Sequence, residues 1–172
     1  MSEALAIAIT VILGITQALQ VALLGAMNRV RGPSEAAYLS ILGTVAGLSL
    51  ALAVRGFAGS RVALPFPFDM PVFTGVIAIA SGALLFLIIR GLPGGYVITG
   101  LLAVPYLIAA SYLAPKIGVG LFVASLITGQ MIGGVLLDQI GAFGAEVRPV
   151  DVTRLIGVAA LIGGVVLVRG IR

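Results

Sequence analysis

Residues 116–144 read KIGVGLFVASLITGQMIGGVLLDQIGAFG, an apolar run of membrane length with an amide, Gln130, near its middle and a carboxylate, Asp138, towards its end. A carboxamide offers two N–H donors and a carbonyl acceptor, so at membrane depth it can hold a polar ligand or bind a neighbouring helix. A carboxylate embedded in the membrane is a candidate for binding coupling ions, whereas at a helix end it is solvated or paired. Two further amides, Gln17 and Gln20, stand in the first apolar run. Three residues apart, they sit about 60° apart around a helix and face nearly the same side.

These groups acquire meaning from the segments that carry them. The 172 residues are 60% hydrophobic and 9% charged, with a mean hydropathy of +1.25; soluble domains carry roughly 25% charged residues. The sixteen charged side chains, ten basic and six acidic, punctuate the chain, and most gaps between them match the roughly 20 residues that cross hydrocarbon as a helix. Six spans follow, at residues 4–27, 36–54, 71–89, 96–114, 117–137 and 152–168. The expected fold is an all-α polytopic transmembrane bundle with glycine-rich helix packing, one transmembrane domain over residues 1–172. A five-span arrangement, in which 71–89 does not cross, is the alternative.

The first span begins with an acid and no basic residue before a long apolar run, which reads as a retained span rather than a cleaved signal. The last is tight, with fourteen residues between Arg154 and Arg169. Turn chemistry marks the connections at Gly32-Pro33, at Pro65 and Pro67, at Gly91 to Gly95 and at Ala114-Pro115. The longest, 56–70, suits either the lipid headgroup layer or an ordinary surface loop.

Measured from each span's midpoint at a rise of about 1.5 Å per residue, Gln17 lies about 2 Å from the bilayer centre, Gln20 about 7 Å and Gln130 about 4.5 Å. Asp138 lies about 16 Å out, just past the half-thickness of roughly 15 Å. An unpaired buried amide costs several kcal/mol, so Gln17, Gln20 and Gln130 should face the bundle interior, a partner subunit or a wet cavity. Substrate contact and hydrogen-bonded glue between helices both satisfy that requirement. The hydroxyls of Ser40, Thr44, Ser81, Ser125 and Thr128 can bond the preceding turn and are less informative. Pro105, in the middle of the fourth span, removes a backbone hydrogen bond beside Tyr106, which kinks the helix either at a midplane site or for packing alone. Small-residue spacings such as Gly43-x-x-x-Gly47 and Gly129-x-x-x-Gly133 let helix backbones approach closely.

The absence of Cys and His removes disulfides, soft-metal ligands and the commonest general base, so no enzyme, cofactor or metal is expected. The formal charge of +4 is spread over loops without a basic patch, and nucleic acid is not an expected partner. Alternating the six-span loops places Arg55, Arg61, Lys116, Arg169 and Arg172 on one face and Arg29, Arg31, Arg90, Arg148 and Arg154 on the other. Without a positive-inside bias the chain has no strong instruction about orientation. Both orientations would be made and would pair as an antiparallel homodimer; the alternative is a single orientation decided by one or two residues near the ends.

The string Ala114-Pro115-Lys116-Ile117-Gly118, then Gly129-Gln130, then Asp138-Gln139-Ile140-Gly141-Ala142-Phe143-Gly144, then Arg148-Pro149 and Arg154-x-x-Gly157 resembles the short YdcZ-type branch of the drug/metabolite transporter superfamily. The likeness extends more weakly to Gln20, Gly32-Pro33 and Ser40, and covers most of the chain except about residues 56–95. Leu24 stands where the family usually shows Asn, and Gln139 where it shows His. The family typically has five spans, so 71–89 looks like an additional helix.

The resemblance implies a small inner membrane protein that carries small molecules by alternating access as a dimer of oppositely inserted subunits. Related small multidrug exporters place a glutamate in the first helix; this chain has none between Glu3 and Glu35, so a proton-coupled exporter of lipophilic cations is not expected. The expected cavity is lined by Gln17, Gln20, Ser40, Tyr106 and Gln130, with Asp138 as a gate or coupling residue and a small, partly polar, neutral or anionic substrate. A non-transporting membrane scaffold or an accessory subunit of a larger transporter is the alternative, which flux would exclude.

Overall fold

The computed structural model describes residues 1–170; Arg172, counted above among the charges of one face, lies outside the described residues. The described chain is helical: α1 (Glu3–Arg31), α2 (Pro33–Phe57), α3 (Pro71–Ile88), α4 (Ile98–Leu101), α5 (Ala103–Ile117), α6 (Val119–Gln139) and α7 (Val152–Arg169), with 3₁₀ turns at Gly94–Val97 and Ala142–Gly144. Six segments are long and apolar enough to cross a membrane, the fourth being Gly94–Ile117. The six-span expectation is borne out.

Local chemistry sets the boundaries. Glu3 in the first turn of α1 and Arg29 and Arg31 in its last complement the helix dipole. A single residue, Gly32, joins α1 to α2 at φ 93°, a conformation L side chains avoid, and Pro33 opens the new helix. The fourth span is interrupted at one residue, Leu102, whose φ −65° and ψ −23° stay helical and whose N–H still bonds the Ile98 carbonyl at 3.0 Å. The interruption lies three residues before Pro105, which lacks the N–H for its i−4 carbonyl and crowds that turn. Pro115, in contrast, does not end its helix. α5 runs through it to Ile117, and the break falls at Gly118, φ 86°. The connection expected at Ala114-Pro115 is displaced because one lost hydrogen bond is tolerated in a last turn, whereas a positive φ is not helical.

The chain divides into two compact units, one formed by Met1–Ala26 with the chain from Pro105 onward, the other by Met27–Val104. In the first, Ala6, Leu13, Leu113, Phe122 and Leu126 form a buried cluster contributed by α1, α5 and α6. The glycines let α1 and α6 touch backbone to backbone. A Cβ on Gly129 would lie 2.0 Å from the carbonyl oxygen of Val11, and one on Gly14 2.2 Å from that of Leu126. Arg169 Nε donates to Glu3 Oε1 at 2.9 Å, placing the start of α1 and the end of α7 together.

In the second unit α2 and α3 run antiparallel: Gly56 abuts Pro71 at one end, and Arg31 Nη2 donates to the carbonyl of Arg90 at 2.7 Å at the other. α3 is thus a full-length helix laid along α2. Gly43 of α2 meets Gly100 of α4, where Thr44 Oγ1 donates to the Gly100 carbonyl at 3.0 Å. Hydroxyls elsewhere bond the preceding turn as their spacing allows, Ser81 to Ile77, Ser125 to Leu121 and Thr128 to Ala124. In the 56–70 connection Phe66 and Phe68 are exposed, and Phe68 packs edge-on against Phe73.

Candidate functional site

The site is built on α6, the most enclosed of the spans. Gln130, Gly134 and Asp138 follow at i, i+4 and i+8, a stripe drifting only about 80° around the helix over about 12 Å of its length. Two cavities flank this stripe. One, of about 590 Å³, lies between α6 and α7 and is lined by Ile127, Met131 and Val135 together with Gln130, Asp138, Thr153, Arg154 and Gly157. The other, of about 270 Å³, lies against α1, with Ala18, Val21, Ala22 and Leu137 joining Gln130, Gly134 and Asp138.

α6 is centred on Gly129, so Gln130 is about 1.5 Å and Asp138 about 13.5 Å from its midpoint, using 1.5 Å per residue. Asp138 sits slightly deeper than the sequence-based boundaries placed it, because the helix starts and ends two residues later. The Gln130 amide is half-buried and, among the described residues, makes no side-chain hydrogen bond to the protein. The Gln130 main chain stands beside the tight α1–α6 approach: a Cβ on Gly14 would lie 2.8 Å from its backbone nitrogen.

Asp138 is paired. Its Oδ2 accepts from Arg154 Nη1 at 3.4 Å, and both residues line the larger cavity. The segment between α6 and α7 is tied to the same helix end. The Asp138 carbonyl accepts from the Arg148 N–H at 2.9 Å, Gln139 Oε1 accepts from the Val150 N–H at 2.5 Å, and Arg154 Nη1 donates to the Arg148 carbonyl at 3.3 Å. Asp151 caps α7 by accepting from the Arg154 N–H at 2.7 Å. Gly141, in the left-handed region at φ 58°, makes the sharp turn; a Cβ there would meet Val147 and the Ala145 carbonyl.

The other expected residues are distributed differently. Gln20 is buried in α1 and Gln17 half-buried at its midpoint; both have partners. Tyr106 packs against the Ala6–Leu13–Phe122 cluster. None of these three lines either cavity described above. Pro105 is exposed in the first turn of α5. Ser40 is buried within the second unit, its carbonyl accepting from Thr44 Oγ1 at 2.9 Å.

Thr153 and Arg154 are the cavity residues that reading the sequence for buried polar groups missed, because Arg154 read as a helix-end marker. A signal was present in Arg154-x-x-Gly157, whose i, i+3 spacing puts both residues on one face of α7. Among the described residues no group of acids, His or Cys is arranged to hold a metal.

A sequence model of the family described as "Putative inner membrane exporter, YdcZ" matches residues 70–167, more than half of the 172. The match runs from the start of α3 almost to the end of α7. It therefore includes the helix that the motif comparison had set aside as additional, and it contains Tyr106, Gln130, Asp138 and Arg154 while leaving out Gln17, Gln20 and Ser40. No curated protein and no solved structure matches the chain.

Proposed function

Because the chain belongs to the YdcZ family of inner membrane exporters, and is on that ground a membrane transporter with a small-molecule substrate, we propose that it works by alternating access around a polar midplane cavity. Gln130 is the central substrate contact and Asp138 the gate or coupling residue; Gln17, Gln20, Ser40 and Tyr106, expected from the sequence as further contacts, line neither of the two cavities. The observation that carries this reading is the Gln130 amide, at the middle of a membrane-length helix, lining two cavities with its hydrogen-bonding capacity unspent on the protein. An amide so placed is costly unless a polar guest or water meets it.

The functional assembly in this proposal is an antiparallel homodimer of oppositely inserted subunits. Its support is the division of the ten basic residues, five to each face. Carboxyl-terminal reporters active only in the cytoplasm or only outside it test insertion: both should give signal, and signal from one alone removes the dual orientation.

Transport is tested with purified protein in liposomes against a metabolite panel, with Gln130→Ala alongside. Saturable flux that falls on substitution is the expected result. Flux that ignores the substitution removes Gln130 from the site, movement without saturation or counterflow means a passive channel, and no flux for any compound means a scaffold or accessory subunit.

A further inference from the structure

Building on the transport reading, we propose that the cavity between α6 and α7 takes the acid group of a small amphipathic organic anion, and that Arg154 is its ligand. A guanidinium carries five N–H donors in a fixed planar fork. Among the described residues the Arg154 side chain spends only Nη1, at 3.4 Å on Asp138 and 3.3 Å on the Arg148 carbonyl. Both distances are long for N–H···O bonds, which centre near about 2.9 Å. Nε and Nη2 are left with three N–H groups, on the edge of the fork that matches a carboxylate or phosphate with two parallel bonds.

The remainder of the lining fixes the class of guest. Ile127, Met131 and Val135 offer an apolar wall, and Gln130 and Thr153 offer neutral hydrogen-bonding groups. About 590 Å³ lies within the roughly 300–1,000 Å³ of small-molecule sites. Asp138 does not turn this into a cation site, because its carboxylate already faces Arg154 and is 44% exposed to solvent. Its role is to hold the guanidinium in place and keep the charge paired while the cavity is empty. Arg154 is also anchored through its main chain, whose N–H is held by Asp151. An acid arriving at the unspent edge adds bonds without first breaking that arrangement.

The test uses three probes sharing one ring, benzoate, benzamide and benzylamine, read by thermal unfolding of the full chain in neutral phosphatidylcholine nanodiscs. Benzoate is expected to raise the melting temperature in a saturable way, with the amide and the amine far less effective. Arg154→Gln should weaken the apparent benzoate affinity by about tenfold or more, the scale of a lost charge-assisted pair, with Arg154→Lys intermediate. Asp138→Asn keeps an acceptor oxygen for Arg154 Nη1 and removes the charge that competes with an arriving acid, so it should bind benzoate at least as tightly as the parent; if the ion pair only tied the loop, Arg154→Gln and Asp138→Asn would lose the response together.

Equal response to all three probes, an unchanged Arg154→Gln, or a benzylamine response that Asp138→Asn abolishes overturns the proposal. If Arg154→Gln does not fold, the Lys and Asn variants decide alone. Stabilisation that depends on Arg154 and appears with phosphatidylglycerol but not with benzoate assigns the site to a lipid headgroup and also overturns it. Flux of a non-acidic solute that needs Gln130 but not Arg154 would preserve transport and remove the acid class.

Discussion

Substituting Gly129 by alanine puts the helix-packing argument at risk on one atom. The new Cβ would stand 2.0 Å from the Val11 carbonyl oxygen, 2.9 Å from its carbon and 3.0 Å from the Gly14 Cα, all backbone atoms that cannot rotate away. Ordinary C···O contacts begin near about 3.3 Å, so α1 would have to retreat by about 1.3 Å along that line. A radial gap of that size forfeits about half of the dispersion contact along the crossing, and overpacking of this kind costs about 1–3 kcal/mol. Gly134→Ala, five residues along the same helix, meets nothing within 4 Å and gains up to about 1 kcal/mol in helix propensity.

The propensity gain is common to both alanines, so they should differ by the overpacking cost of about 1–3 kcal/mol, or between about 5- and 150-fold in the folding equilibrium. Reversible unfolding in mixed micelles, titrated with SDS and followed by helical circular dichroism, measures the difference. If Gly129→Ala is within about 0.5 kcal/mol of Gly134→Ala, the range of a neutral surface change, the backbone contact between α1 and α6 is not what holds this unit together.

Gly100→Ala should show the same behaviour in the second unit, destabilising by about 1–3 kcal/mol because its Cβ would fall 2.2 Å from the Ser40 carbonyl, with Gly82→Ala, which meets nothing within 4 Å, as the silent control in the same titration. Asp151→Ala removes the acceptor for the Arg154 N–H and should lower stability by about 1 kcal/mol, read as a lower melting temperature. Glu3→Gln breaks a pair whose members are 46% and 50% exposed, so it should cost less than about 1 kcal/mol and lose even that in high salt; a larger effect would mean that the helix ends are bound more tightly than a surface ion pair allows.

Much of the fold was legible because hydropathy and turn chemistry act locally. The boundaries at Gly32 and Pro71 follow from residues that cannot adopt or continue a helix, and the lengths of the apolar runs follow from the thickness of hydrocarbon. Pro105 and Pro115 show where such reading falters: one has a one-residue interruption three positions upstream, at angles that stay helical, and the other lies within an uninterrupted last turn. The outcome depended on position in the helix and on neighbours, neither of which a proline signal contains.

Gln130 and Asp138 stood out from the sequence because polar groups are rare in a membrane run, and both line the cavities. Arg154 did not stand out. At a helix end a basic residue is ordinary, and only the return of the loop onto Asp138 and Gln139 makes it a cavity residue. Tyr106 had the opposite fate, its ring being taken up by the α1–α6 cluster.

The sequence by itself determined that this chain is a membrane helix bundle, where its spans lie, and that amides sit at their centres, since each of these depends on residues near one another along the chain. Only the tertiary structure decided which polar groups share a cavity. That choice rests on how closely one helix can approach another, and at Gly129 the approach is set by the absence of a single Cβ facing the carbonyl of Val11, a residue more than a hundred positions away in the chain.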